Sequence, residues 1–216
     1  MIISGVEEAG RGPVIGPMVM AICSIDKKDE YKLAEIGVKD SKLLTPRRRE
    51  ELFEQVKALC KHTIVVLQPK DIDDALNDPN MNLNKLEGVT SAKLINSIKI
   101  NQVIIDCPST NITAYTNSIK EQVKDKHVEV IAEHKADLNY LIVGAASILA
   151  KVTRDRLIEE LKQKIGMNFG SGYPADPVTV SFLHKHWKTH EDIFRKTWKT
   201  YKKVAQSQSQ KGLEEF

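Results

Sequence analysis

The sequence predicts an α/β fold, a mixed sheet of five strands covered by helices. Two observations carry this. Three apolar, β-branched runs come early in the 216-residue chain, and two more follow in alternation with helical patterns. Hydrophobic residues make up 41% and charged residues 28%, the balance of a globular chain long enough for one good-sized core.

The first strand is expected from Ile2-Ile3 to Val6, and the second over Met18 to Cys23, joined to it by a Gly/Pro turn. Thr45-Pro46 predicts a helix start, Thr as N-cap and Pro at the first helical position, with Leu52, Phe53, Val56 and Leu59-Cys60 as its apolar stripe. Thr63 to Leu67 is the third strand. Asp71 to Leu76 and Leu86 to Ile98 read as helices, Val103 to Asp106 as the fourth strand, ended by Cys107-Pro108. A helix over Thr113 to Lys124 leads to the fifth strand, Val128 to Ala132. A long helical stretch then starts at Asp137, with a break expected near Thr153. Gly170 to Pro174 is a loop, the chain beyond Pro177 is helical and basic, and Gln206 to Gln210 is a polar tail.

The 32 Lys and Arg against 29 Asp and Glu leave a net charge of +3, which identifies no partner. Its distribution says more. From His184 to Lys203 there are seven basic and two acidic residues, a local +5 on a body of −2, and such a segment suggests an anionic partner. Its Trp187, Trp198 and Tyr201 are expected to pack inward while the lysines either stay solvated or track a phosphate backbone. Cys23, Cys60 and Cys107 are odd in number, far apart and set among apolar residues, so they read as reduced core residues. No run reaches the roughly 18 apolar residues of a membrane span, and Glu7 and Glu8 interrupt any leader-like start. A cytoplasmic monomer is expected.

The chemistry is concentrated at the first strand's end. Glu7-Glu8 places two carboxylates side by side, an unfavourable pairing unless a cation or water intervenes. Gly10-Arg11-Gly12 follows directly, a backbone able to approach something bulky and anionic. Asp106 ends the fourth strand as Glu7-Glu8 end the first, and Asp137 either caps its helix or points at the same sheet edge. Four acidic groups from three segments suit hard divalent cations, Mg²⁺ first and Mn²⁺ second, and no His/Cys cluster has zinc spacing. Asp137, Tyr140, Gly144, Ser147, Lys151 and Arg154 recur at helical spacing, a stripe that is either solvated or turned toward a nucleic-acid backbone. A dinucleotide-binding loop is excluded by the Gly10-x-Gly12-x-x-x-Gly16 spacing, by the strand that follows it, and by carboxylates where phosphates would be repelled.

These segments, in order, resemble ribonuclease HII, the type 2 ribonuclease H, and its archaeal branch most. The matching stretches are Gly5 to Gly12, Lys39-Asp40-Ser41-Lys42, Ile104 to Asp106, Ala136-Asp137, Ala145 to Asp155 and Gly170 to Pro174. The resemblance implies a ribonuclease H-like fold over 1–165, a helical, basic substrate-binding part over 166–204, and a flexible tail over 205–216. It implies a metal-dependent endonuclease that cuts the RNA strand of RNA–DNA hybrids and cuts 5′ to ribonucleotides embedded in duplex DNA, leaving 5′-phosphate and 3′-hydroxyl ends. Glu7, Glu8, Asp106 and Asp137 map onto the family's metal-binding carboxylates. The backbone of Gly10, Arg11 and Gly12 maps onto the loop that reads the 2′-hydroxyl, the group that distinguishes RNA from DNA at one nucleotide. Tyr173 maps onto the tyrosine at the RNA–DNA junction, and Ser41, Lys42, Ser147 and Lys151 are expected phosphate contacts.

One departure stands out: the family's first carboxylate is Asp, and this chain has Glu7. The alternative reading is therefore a hybrid-binding variant with impaired catalysis. The chain's end, Gln210-Lys211-Gly212-Leu213-Glu214-Glu215-Phe216, resembles the peptide that docks on PCNA-type sliding clamps, with Gln210, Leu213 and Phe216 as anchors.

Overall fold

A computed structural model describes the whole chain except Asp40, Lys42, Leu43, Glu215 and Phe216, and over 208–214 it describes the backbone alone. Two compact units interleave along the chain: Met1–Ala9, Val19–Val66 and Asn82–Arg154 in one, Gly10–Met18, Leu67–Met81 and Asp155–Phe216 in the other. The chain first passes between them at Ala9–Gly10, inside the sequence that carries the predicted site.

The first unit is built on β1 (Ile2–Ala9), β2 (Met18–Asp26), β3 (Lys61–Leu67), β4 (Gln102–Asp106) and β5 (Glu129–Glu133), in spatial order β3-β2-β1-β4-β5. β1 pairs antiparallel with β2 and parallel with β4, and β4 pairs parallel with β5. The mixed five-stranded sheet is thus borne out. β1 and β2 are buried along nearly their whole length, because these central strands are covered on both faces. The helices of this unit are α1 (Tyr31–Glu35), α2 (Pro46–Leu59), α4 (Leu83–Asn96), α5 (Ile112–Gln122), α6 (Ala136–Asn139) and the first part of α7 (Leu141–Ile165); α3 (Pro69–Leu76) belongs to the second unit. Thr45 caps α2 as expected, its Oγ1 accepting from the Arg48 amide, a cap worth about 1 kcal/mol. Leu52, Phe53 and Val56 bury its apolar face. Cys23, Cys60 and Cys107 are buried and free of disulfides.

Gly5 is where α7 meets the sheet. A Cβ there would stand 2.4 Å from the Ile142 carbonyl oxygen, so only glycine lets this helix lie directly on β1. Ile142, Val143, Ala145, Ala146, Ile148, Leu149 and Ala150 are then all buried.

Two expectations are corrected. The helical stretch after β5 breaks at Tyr140, which is extended, and runs unbroken through Thr153. The bonds from Asn139 Nδ2 (2.7 Å) and Tyr140 Oη (2.8 Å) to the Glu133 carboxylate hold that break in place. The polar end of the chain, read as a tail, continues the helix α9 (Lys199–Glu214).

The second unit packs α8 (Pro177–His186), α9 and the end of α7 around Val14, Ile15, Ile158, Phe169, Phe182, Leu183, Phe194 and Tyr201. Trp187 and Trp198 pack against this core while Lys185, Lys188, Lys199, Lys202 and Lys203 are exposed, as the sequence suggested; Arg195 is the exception and is fully buried.

Candidate active site

The β1/β4 register ends with Val6 opposite Ile105, and one step further sets Glu7 opposite Asp106. Registered neighbours in a parallel ladder share a face, so both carboxylates leave the same side of the sheet, the side on which α7 crosses Gly5. Glu7 is buried, at 5% exposure. Asp106 Oδ1 accepts the Ala136 amide at 2.7 Å, which ties the β4 end to the turn of α6 carrying buried Asp137. Asp137 does not cap its helix; it sits in the first turn behind Lys135, whose left-handed backbone (φ 59°) re-aims the chain. The register and the Ala136–Asp106 bond thus bring the segments that bear Glu7, Asp106 and Asp137 to one sheet edge.

Glu8 follows Glu7 at the strand end. Burial first, and then the charges of Glu87 and Glu8, push the Tyr115 hydroxyl well above its ordinary range. The Cys107 thiol is also pushed up, by burial first and then by the charges of Asp106, Glu8 and Glu87. The sequence reading missed Glu87, buried on α4, because a single acid in a helical pattern reads as a solvated position. It also missed Glu133, which lies opposite Asp106 in the β4/β5 register and anchors the Asp137 turn through Asn139 and Tyr140.

Among the described residues, no group of three or more His, Cys, Asp or Glu side chains is placed so as to hold a metal ion by itself. The edge nevertheless fits a hard cation in a restricted sense. Its donors are all carboxylate oxygens, and Mg²⁺ characteristically takes one or two carboxylates and completes its shell with water and substrate phosphate.

The expected phosphate contacts divide. Ser41 and Ser147 are buried and bonded to each other, Oγ to Oγ at 2.9 Å, tying the segment before α2 to α7. Arg49 Nη1 reinforces that segment by donating to the Ser41 and Leu44 carbonyls. The stripe that starts on α7 at Gly144 therefore meets the Lys39 backbone and the Ser41 hydroxyl in place of solvent, with Arg154 buried further along. Lys151 is half-buried, and Lys42 lies outside the described residues.

In the second unit, Gly10 has φ +83°, a left-handed backbone suited to glycine. Gly12 is exposed, and the ring of Tyr173, itself 42% exposed, lies alongside it: a Cβ at position 12 would touch Tyr173 Cε1 at 3.5 Å. The Tyr173 loop is held by the Gly172 carbonyl, which accepts the Val14 amide at 2.8 Å, and by Asp176. The Asp176 carboxylate accepts the Ser171 amide and hydroxyl and, at the start of α8, the Val178 amide, and these bonds hold it down to about 2. Gln210 and Leu213 lie on the α9 backbone, and Phe216 is outside the described residues.

A five-stranded mixed sheet in the order β3-β2-β1-β4-β5, covered by helices, is the ribonuclease H-like fold. A family model described as Ribonuclease HII matches residues 4–201, and the chain belongs to that family. It is 48% identical over 212 residues to the ribonuclease HII of Methanococcus maripaludis strain C6, covering 94% of this chain and 87% of that one. The crystal structure of ribonuclease H2 from Pyrococcus horikoshii is similar at a TM-score of 0.87, with 44% identity over 96% of this chain and 98% of the other. A PCNA:RNase HII complex from Archaeoglobus fulgidus matches at 0.82 with 38% identity, covering 92% of this chain and 96% of that one. The activity is that of a type 2 ribonuclease H, a divalent-metal-dependent endonuclease acting on RNA–DNA hybrids. No described helix is long and apolar enough to cross a membrane.

Proposed function

We propose that this chain cuts the RNA strand of hybrids and also cuts on the 5′ side of single ribonucleotides within duplex DNA, leaving 5′-phosphate and 3′-hydroxyl ends. Glu7, Glu8, Asp106 and Asp137 would hold Mg²⁺ or Mn²⁺. When bound, such an ion supplies an activated water and charge stabilisation for the departing 3′ oxygen. The chain's own contributions are positional. The Ala136 amide orients the Asp106 carboxylate, the Glu133 bonds fix the turn bearing Asp137, and the backbone of Gly10, Arg11 and Gly12 meets the 2′-hydroxyl. Tyr173 packs on the sugar at the RNA–DNA junction. Lys42 and Lys151 contact phosphate, and Ser41 and Ser147 act through the segment their mutual bond secures.

The observation that carries this reading is the joining of three carboxylate-bearing segments at one edge, through the β1/β4 register and the Ala136–Asp106 bond. The test is cleavage of a labelled DNA duplex bearing one ribonucleotide, with Mg²⁺ and then with Mn²⁺. A cut 5′ of the ribonucleotide is expected. Binding without cutting, repaired by Glu7→Asp, would mean an impaired site; neither binding nor cutting by either protein would overturn the proposal.

A sliding clamp is the proposed protein partner, through Gln210, Leu213 and Phe216. The solved complex of an archaeal relative with PCNA supports it. Removing Leu213 to Phe216 should abolish co-elution with a clamp, and unchanged co-elution would remove the idea.

A further inference from the structure

The glycine loop is held from behind by two side chains, Arg195 and Trp198. Arg195, fully buried, donates from Nη2 to the Gly10 carbonyl (2.6 Å), from Nη1 to the Arg11 carbonyl (3.0 Å) and from Nε to the Gly16 carbonyl (2.9 Å). Its own amide donates to the Val14 carbonyl at 2.9 Å, and the guanidinium stacks over the Trp198 ring at 4.8 Å. Trp198 Nε1 in turn donates to the Gly12 carbonyl at 3.1 Å. Three successive carbonyls, of residues 10, 11 and 12, are thereby turned toward one Arg–Trp pair.

The consequence follows from peptide geometry. In a trans peptide the carbonyl and the next amide point in opposite directions, and the described chain holds no cis bond. Drawing the Gly10 and Arg11 carbonyls onto Arg195 therefore turns the Arg11 and Gly12 amides the other way. A guanidinium shut away from water is costly unless its fork is bonded, and here the fork is bonded to the loop itself. Asp73 on α3 fixes the segment that bears it: its carboxylate accepts the Lys196 amide (2.7 Å), the Thr197 amide (2.9 Å) and the Thr197 hydroxyl.

We propose that Arg195 is a positioning residue for ribose recognition, setting the planes of the Gly10–Arg11 and Arg11–Gly12 peptides and with them the discrimination between ribose and deoxyribose. This rests on the reading that the loop's backbone meets the 2′-hydroxyl. The measurement is a ratio: affinity for a duplex with one ribonucleotide over affinity for the all-DNA duplex of the same sequence, taken with divalent metal chelated so that turnover plays no part. Arg195→Met removes the fork, Arg195→Lys keeps the charge but not the planar geometry, and Trp198→Phe removes only the bond to Gly12.

In folded Arg195→Met, or in Arg195→Lys should the first fail to fold, the ratio is expected to fall about tenfold, the worth of one well-made hydrogen bond, with all-DNA affinity nearly unchanged. Trp198→Phe, at a half-buried position, should lower it by a smaller factor. A wild-type ratio in Arg195→Lys and Trp198→Phe together would overturn the proposal. A ratio of one in the unaltered protein would instead overturn the reading of the loop itself, and the role of Arg195 with it.

Discussion

The carboxylate edge and the glycine loop are secured by different kinds of bond. The edge is a product of backbone pairing: the β1/β4 and β4/β5 ladders set Glu7, Asp106 and Glu133 side by side, and one amide, of Ala136, adds the Asp137 turn. The loop is secured by side chains that reach it from 180 or more residues downstream, Arg195 to the carbonyls of Gly10 and Arg11 and Trp198 to that of Gly12. A ladder spreads its strength over many bonds, so a side chain can be altered at the edge without moving its neighbours. Removing one guanidinium takes three bonds from the loop at once. Chemistry and stability should therefore separate at the edge and travel together where Arg195 holds the loop.

The sharpest way to break this contrast is Asp106→Asn. The amide side chain can still accept from Ala136, and one negative charge leaves a crowded edge. Cleavage should fall by more than about 100-fold, since even the outer partners of metal ligands cost about 10–100-fold, while the melting temperature stays within a few degrees. A matching collapse in stability, seen by calorimetry, would mean that the edge is a structural network. Glu7→Asp tests the same edge in the other direction. Shortening the side chain by one methylene should raise turnover, by up to about 100-fold if the carboxylate now sits about 1 Å from its best place. Equal turnover of the two proteins at saturating metal would discard the idea that Glu7 slows the enzyme.

The contrast also accounts for what could be read in advance. Strand ends are visible in a sequence because apolar, β-branched runs stop where the acids begin, so Glu7, Glu8 and Asp106 could be named from local pattern. Asp137 was nameable but its setting was not. Leu138, Leu141 and Ile142 continue an apolar periodicity that hides the break at Tyr140, and the break is imposed by bonds to Glu133 on a different strand. Ser41 and Ser147 were expected at phosphates, yet 106 positions apart in the chain they satisfy each other. Arg195 looked like one more cation in a basic segment. Nothing in its neighbourhood distinguishes a buried fork from a solvated one; that depends on where Gly10 to Gly16 lies in the folded chain.

At the loop, Gly12→Ala sharpens the comparison. Position 12 has no left-handed backbone, and an added methyl would make ordinary contact with Tyr173 at 3.5 Å, so the fold should tolerate it with little change in melting temperature. If the loop's backbone must come close to a ribose, the same methyl intervenes, and cleavage at a single ribonucleotide should drop by about tenfold. Cleavage at the wild-type rate would mean that Gly12 approaches nothing in the complex.

The smallest effect is expected at Asp176, which braces the Tyr173 loop through Ser171 and starts α8 through Val178. Its carboxyl is held down to about 2, chiefly by the Ser171 amide, below the value of about 3.9 for an unfolded chain. A depressed carboxyl contributes stability that is complete above the unfolded value and disappears as the pH falls through the folded one. Asp176→Ala should thus lower the melting temperature by a few degrees at neutral pH. Between pH 7 and about 4 that gap should stay constant, and below 4 it should close as the native carboxyl takes up its proton. A gap that is unchanged down to pH 2 would show that Asp176 braces the loop through packing, independent of its charge.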